Sequence, residues 1–520
     1  MRSCTLIFAL TLLASFAITG CLFNKVSCKI LSITIGDDDG FPSVFIELNA
    51  SDSIKVKLFK GKVLIDEKEI YIGGERTLSL CLASYHEIPE KGTYHVKIYD
   101  MNDNPICDGK INIENPKLVI NNLDVDWWKE GKDYVLLETS LNVTNEGNVP
   151  IYVKTLRVSV DGTRSKVAHV YNETINPSST STISACTCIK GISDGSHSIL
   201  VDLFDLNGKK IATFSSFDST RLDFSIKKTH LKWYFEGKEY SITLPVPKKL
   251  LSYCSSLKRA QTEDYSFYVV FPIDDNYISF LSEKLLSLHD TRDIEEKINF
   301  VASFVQSIPY HKEEEEYPRF PIETIADLEG DCEDKAILAS SILAEIGLDV
   351  ALIRLHEHMA VGIYLDGVDY QGKVYYEDES GKRYLFLETS NVGWKLGDAC
   401  EEFKDQKNYT VYHVGSKPLL LQECEPPIRY KYLKGDFVVV EDRILNFGVD
   451  NANNVELVVD FLAQYDLSVK KYVSEKFGVR AGGGRLIRLK INSPRQSFLK
   501  VKVDLIHEGK VVQSSIFIFE

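Results

Sequence analysis

The hydrophobic period of this chain changes twice, and that change limits its architecture more than any other feature. From Lys29 to about Asn115, apolar and polar residues alternate, as in Val44-Phe45-Ile46-Glu47-Leu48 and Tyr94-His95-Val96-Lys97-Ile98, between Asp- and Gly-rich breaks. A period of two describes strands with one buried face, and short strands with frequent turns predict a β-sandwich. Pro116 opens a second such block, with Leu141-Asn142-Val143-Thr144 and then Asn145-Glu146-Gly147-Asn148-Val149. The same grammar returns from about Tyr430 to Glu520, in Asn446-Phe447-Gly448 and Asn453-Asn454-Val455-Glu456-Leu457-Val458-Val459.

Between these blocks the spacing becomes helical. Ile278, Leu281, Leu285 and Leu288 share one face, and Ile294, Ile298, Val301, Phe304 and Val305 share another. Ile337, Leu338, Ser341, Ile342 and Ile346 continue a third, stopped by Gly347 at a C′ position. Strand-like runs follow: Val350 to Leu355, Met359 to Leu365, Val374 to Tyr376 and Tyr384 to Leu387. Helices first and antiparallel strands after predict an α+β centre. A chain of 520 residues is too long for a single core. The expected division is a leader over 1–20, a β-sandwich over 21–115, a second over 116–220, an α+β domain over 221–425 and a last sandwich over 426–520.

A formal charge of −15 argues against nucleic acid as a partner, because phosphates demand clustered Lys and Arg. Near the start, Arg2 precedes an uncharged apolar run from Cys4 to Ile18, too short for a comfortable membrane span. The run then reaches Thr19-Gly20-Cys21, which resembles a lipoprotein cleavage box with Cys21 as the lipidated first residue. A plain signal peptide and an uncleaved anchor are the other readings. All three place the body outside the cytoplasm, and two attach it to a membrane. Past Cys21 stand nine cysteines, an odd number in a setting that favours disulfides, so one thiol is expected to stay unpaired. Sequons at Asn49, Asn142, Asn172 and Asn408 are compatible with a secreted chain.

The chemistry concentrates at Gly330-Asp331-Cys332-Glu333-Asp334-Lys335-Ala336. Asp331 suits an N-cap and Asp334 completes a capping-box spacing, which puts Cys332 in the first helical turn. Unpaired N–H groups and the helix dipole there favour a thiolate, the nucleophilic form. Asp331, Glu333 and Asp334 oppose it by like charge, so a nearby imidazolium is required. His358 can supply one, with Glu388 fixing its tautomer and orientation.

Residues from about 232 to 397 resemble the transglutaminase-like domain of the papain-like cysteine peptidase superfamily. The pieces that carry the resemblance are Gly330 to Ala336, His358-Met359-Ala360-Val361-Gly362 and Phe386-Leu387-Glu388-Thr389, with Trp233 to Tyr240 at the domain's start. Ser307-Ile308-Pro309-Tyr310, Tyr317-Pro318 and Pro321-Ile322-Glu323-Thr324 match archaeal members. The resemblance implies a papain-like α+β fold and a peptidase or amidase without cofactor or metal. It makes Cys332 the nucleophile, His358 the general base and acid, and Glu388 the orienting carboxylate, where many members carry Asp. The second and last sandwiches resemble the CARDB-type adhesion or spacer domains of archaeal and bacterial surface proteins.

Alternatives stand beside each assignment. Cys332 can instead join Cys254 or Cys400 in a disulfide, and His356 competes with His358. Cys332, His356, His358 and Glu388 together can be read as a zinc set, although no Cys-x-x-Cys or His-Glu-x-x-His accompanies them. The oxyanion donor beside the Cys332 backbone N–H is open among Gln306, Tyr310 and Tyr317. The substrate expected is a protein or peptide. The competing reading is a surface scaffold whose centre does no chemistry.

Overall fold

A computed structural model describes residues 25–519 apart from 72, 225, 258, 260–262, 314, 315, 405, 416, 432–434 and 449. The leader over 1–20 and the lipidation candidate Cys21 lie outside the described residues. Contacts divide the chain into two compact units, one of residues 1–83 and 89–115, the other of 84–88 and 116–520.

The first unit holds two antiparallel sheets. Cys28–Asp38, Phe41–Ala50 and Gly74–Cys81 form one, and Val63–Ile70, Ile54–Lys60, Gly92–Asp100 and Pro105–Ile113 the other. The alternation has the expected effect: along Ile54–Lys60, Ile54, Val56 and Leu58 are fully buried while Lys55 and Lys57 are not. Gly61 takes φ +60° in the two-residue turn that pairs Lys60 with Val63, a conformation that glycine adopts without steric cost.

The second unit begins with a sandwich over 118–219. Asp133–Asn145 lies between Leu118–Glu130 and Thr180–Ile192, and Thr155–Val160 lies between Arg164–His169 and Ser196–Phe204, with Lys210–Ser219 at the edge. The C-terminal sandwich repeats one local device of this module. Asn145 donates its amide to the Val149 and Ile175 carbonyls and accepts from Gly147 N–H. Asn446 donates to Asp450 and Val479 and accepts from Gly448. Both are buried, and each closes its loop with the same three bonds. Leu420–Cys424 pairs with Phe437–Asn446, so the last sandwich takes in residues before 426.

Between the sandwiches, the hairpin Lys227–Phe235 and Lys238–Val246 leads to helices Lys248–Ser256, Ser266–Val269, Asp275–Leu286, Ile294–Gln306, Pro321–Asp327 and Cys332–Glu345. A five-stranded antiparallel sheet follows, in the order Tyr375–Glu377, Arg383–Leu387, His358–Tyr364, Asp349–Leu355, Thr410–His413. Gly347 ends the last helix at φ +86°, as its place in the pattern predicts.

The expectation of an α+β papain-like centre is corrected. Strands make up 51% of the structure and helices 13%, and the chain is a multi-sheet β-sandwich protein with few helices. The reason lies in how the apolar faces are buried. The helices do not close a core with their own sheet alone. The face of the neighbouring sandwich that carries Val135, Leu137, Tyr171, Cys186 and Cys188 continues into the same cluster as Trp233, Phe300 and Ile337. Glu138 of that sandwich, only 1% exposed, accepts from the Lys249 and Leu250 N–H groups, capping a helix whose own N-cap, Pro247, offers no side chain. Helical spacing reports local shape. It does not report which layer buries the resulting face.

Candidate functional site

Gly330 sets up the helix that carries Cys332. A Cβ at position 330 would meet the Asp334 side chain at 2.8 Å, so only glycine lets that carboxylate fold back. Asp334 Oδ2 accepts from Asp331 N–H at 3.3 Å, and Asp331 Oδ1 from Asp334 N–H at 3.5 Å, the reciprocal capping expected from the spacing. The Arg319 backbone N–H adds a bond of 2.8 Å to Asp334 Oδ1. The Pro309 to His311 segment lies alongside, with Tyr310 bridged to Gly330 and His311 N–H bound to the Gly330 carbonyl at 3.0 Å.

Cys332 is partly exposed and in no disulfide. The Met359 backbone amide donates toward its sulfur, which places the thiol against the start of the strand that His358 opens. Its own proton points to Glu333 Oε2, 3.1 Å away. Burial pushes the thiol well above its ordinary range, the Glu333 charge and hydrogen bond add to this, and Met359 opposes them. The helix start alone therefore does not produce a thiolate. Around it, burial and then the Asp331 charge push Glu333 up to about 8, and burial with Asp331 pushes Asp334 up to about 7.

His358 Nε2 and Glu388 Oε2 are 3.0 Å apart. The imidazole stacks on Phe403 with ring centroids 4.4 Å apart and planes 4° from parallel. Glu388 is 4% exposed, and its second oxygen accepts from Ser390 N–H at 2.7 Å. Burial raises its carboxyl, but the bond and charge of His358, with Ser390, outweigh that and hold it below the usual carboxylate range. The competing His356 sits exposed in the two-residue turn His356-Glu357, with Leu355 and His358 paired across it. The two histidines are not neighbours on one strand face.

The three oxyanion candidates separate. Gln306 donates to the Glu388 and Trp394 carbonyls at 2.8 and 2.9 Å and accepts from Gly393 N–H at 3.1 Å, so its carboxamide is fully engaged behind Glu388. Tyr317 hydrogen-bonds Glu323 and Arg259, whose guanidinium lies over its ring at 4.1 Å. Tyr310 is 52% exposed, its backbone is bridged to Gly330 two residues before Cys332, and burial followed by the Cys332 charge raises its hydroxyl. Two contributors went unread in the sequence. Phe403 lies 45 residues from His358 with no local signal. Lys335 was legible in principle, as a charged residue set among the apolar positions of the Cys332–Glu345 helix. Among the described residues no cluster of three His, Cys, Asp or Glu side chains has a metal-holding arrangement.

No family model matches the chain, and no curated protein does. Solved structures that align with it include a red sea bream transglutaminase, 12% identical over 73% of this chain and 80% of that one, with a TM-score of 0.16. Fibronectin(III)-like modules of Clostridium thermocellum CbhA are 13% identical over 37% of this chain and 94% of theirs, with a TM-score of 0.13. The Amycolatopsis orientalis exo-chitosanase CsxA is 8% identical over 92% of this chain and 76% of its own, with a TM-score of 0.16. Scores this low establish neither a common fold nor a common activity.

Proposed function

We propose that the protein is a cysteine-dependent acyl-transfer enzyme that cleaves a peptide or amide bond in a protein or peptide. The observation that carries this reading is the partly buried His358–Glu388 hydrogen bond, set beside a helix-start cysteine whose sulfur receives the amide of Met359, the residue after His358. Glu388 occupies Nε2, so Nδ1 is the nitrogen that takes the Cys332 proton. The thiolate attacks the acyl carbon, and the oxygen that gains charge is met by the Cys332 backbone N–H, with the Tyr310 hydroxyl the second donor. His358 returns its proton to the leaving amine, giving a thioester. It then takes a proton from water, which attacks the thioester and frees the carboxylate and the thiol. An amine in place of water gives cross-linking by the same steps. The order Cys332, His358, Glu388 also agrees with the motif likeness to transglutaminase-like domains. We place the protein outside the cytoplasm, held at a membrane through Cys21 or an uncleaved anchor, on the strength of the Cys4 to Cys21 segment.

A scaffold whose sandwiches act as adhesion or spacer modules is the second reading. The thiol's bond to Glu333 favours it, since that bond holds the sulfur protonated. Labelling the native protein with an iodoacetamide probe at neutral pH decides between them. The enzyme reading expects modification at Cys332 that slows markedly in His358→Ala. An unreactive Cys332, or a rate indifferent to His358→Ala, refutes it.

A further inference from the structure

Lys335 is buried to 0% exposure, one turn along the helix from Cys332. Its ammonium donates to three backbone carbonyls, Gln306 at 3.2 Å, Ile308 at 2.7 Å and Ser390 at 2.8 Å. Those bonds use all three of its donors. Each carbonyl lies on a segment that shapes the site. Gln306 ends the Ile294–Gln306 helix and braces the Glu388 carbonyl, Ile308 leads into the Pro309 to His311 segment beside Cys332, and Ser390 supplies the N–H that fixes Glu388 Oε1. None of these partners neutralises the charge. A buried ammonium satisfied only by carbonyls is costly, and methionine would fill the same helical position without that cost.

We propose that Lys335 is a positioning residue for the Glu388–His358 pair, its ammonium fastening the Glu388 to Ser390 turn to the Cys332 helix and favouring the anionic form of Glu388. The proposal rests on the thiol-enzyme reading. Burial lowers Lys335 to about 8, and the Glu388 charge works against that decrease. Ser390 shows how the arrangement operates. Its carbonyl is held by Lys335 and its N–H by Glu388, so releasing the carbonyl frees the turn that aims the carboxylate. Gln306, a candidate oxyanion donor by sequence, belongs to the same bracket: its amide donates to the Glu388 carbonyl and its own backbone carbonyl accepts from Lys335.

The test is a double-mutant cycle on the rate of Cys332 alkylation by iodoacetamide at pH 7, with thermal unfolding run in parallel. Lys335→Met keeps the stem and removes the charge. It is expected to slow alkylation by about tenfold or more, since small misplacements of reacting groups cost up to ~100-fold. Glu388→Gln is expected to slow it similarly. The double variant should be no slower than Glu388→Gln alone, because Lys335 acts through Glu388. A merely structural lysine predicts multiplied losses. Lys335→Gln, which retains an amide donor in the same place, is judged by the same criterion where the methionine variant does not fold. Wild-type alkylation rates in a folded Lys335 variant, or multiplied losses in the double variant, overturn the proposal. The rate in His358→Ala separates the two readings. If it is unchanged, the thiol-enzyme reading fails. If His358→Ala is slow and the Lys335 variant is not, only the positioning role fails.

Discussion

Replacing Glu333 with glutamine should increase the reactivity of Cys332 above pH 8 and hardly change it at pH 6. The thiol donates to Glu333 Oε2 at 3.1 Å, so thiolate and carboxylate would be like charges in contact. At that separation Coulomb's law gives about 5 kcal/mol for an effective dielectric of ~20 and about 1 kcal/mol in bulk water. At ~1.4 kcal/mol per unit, this corresponds to between about one and four units of thiol pKa. Cys332 is partly exposed, which favours the low end. Each unit raises the thiolate population tenfold but lowers its intrinsic nucleophilicity, leaving a gain of about three- to fourfold per unit. The pH dependence follows from Glu333 itself, which burial and Asp331 push up to about 8. At pH 6 it holds its proton in the wild type, so glutamine removes no charge. At pH 9 it is ionised, and glutamine removes the repulsion while keeping an acceptor oxygen for the thiol. The assay is the second-order rate of iodoacetamide alkylation at Cys332 at both pH values, with unfolding midpoints as a control. The expected ratio of variant to wild type is about three or more at pH 9 and under about two at pH 6. An equal gain at both values, or none at pH 9, would refute the claim that the Glu333 charge holds the thiol protonated.

Glu138 offers a test of the layer beneath the site. Burial, opposed by Lys249 and two backbone amides, raises it to about 7 from an ordinary 4.5. The folded state therefore keeps its proton more tightly, and the stability this contributes is complete below about pH 4.5 and lost as pH rises through about 7, a change on the order of 3 kcal/mol. Glu138→Gln should remove that part of the pH dependence between pH 5 and 8 in urea unfolding, and an unaltered slope would contradict it. In the first unit, the Cys28 and Cys107 thiols share a hydrogen bond, and burial followed by Cys107 pushes Cys28 up to about 12. Glutathione disulfide at mildly alkaline pH should join these two by thiol exchange and stabilise that unit by about 2–4 kcal/mol. Peptide mapping that finds Cys28 joined elsewhere, or no gain on oxidation, would count against the pairing.

Element type and position were readable from residues alone wherever one face is buried by near neighbours. The helix over Ile294–Gln306, the glycine stop at Gly347 and the capping pair Asp331 and Asp334 all follow from spacing, because they depend on contacts within a few residues. The motif favours His358 over His356, and in the structure His356 lies exposed in the turn while His358 starts the strand. The α+β centre failed because burial of a helical face is a tertiary matter, and here part of the covering surface comes from a sandwich more than 100 residues upstream. The site divides in the same way. Sequence determined which groups are candidates for the chemistry and the order in which they occur. Tertiary structure alone decided that Gln306 is engaged behind Glu388 and Tyr317 with Arg259, that Phe403 stacks on His358 and that Lys335 ties three carbonyls together. These depend on distance and desolvation between segments far apart in the chain, for which residue spacing carries no information.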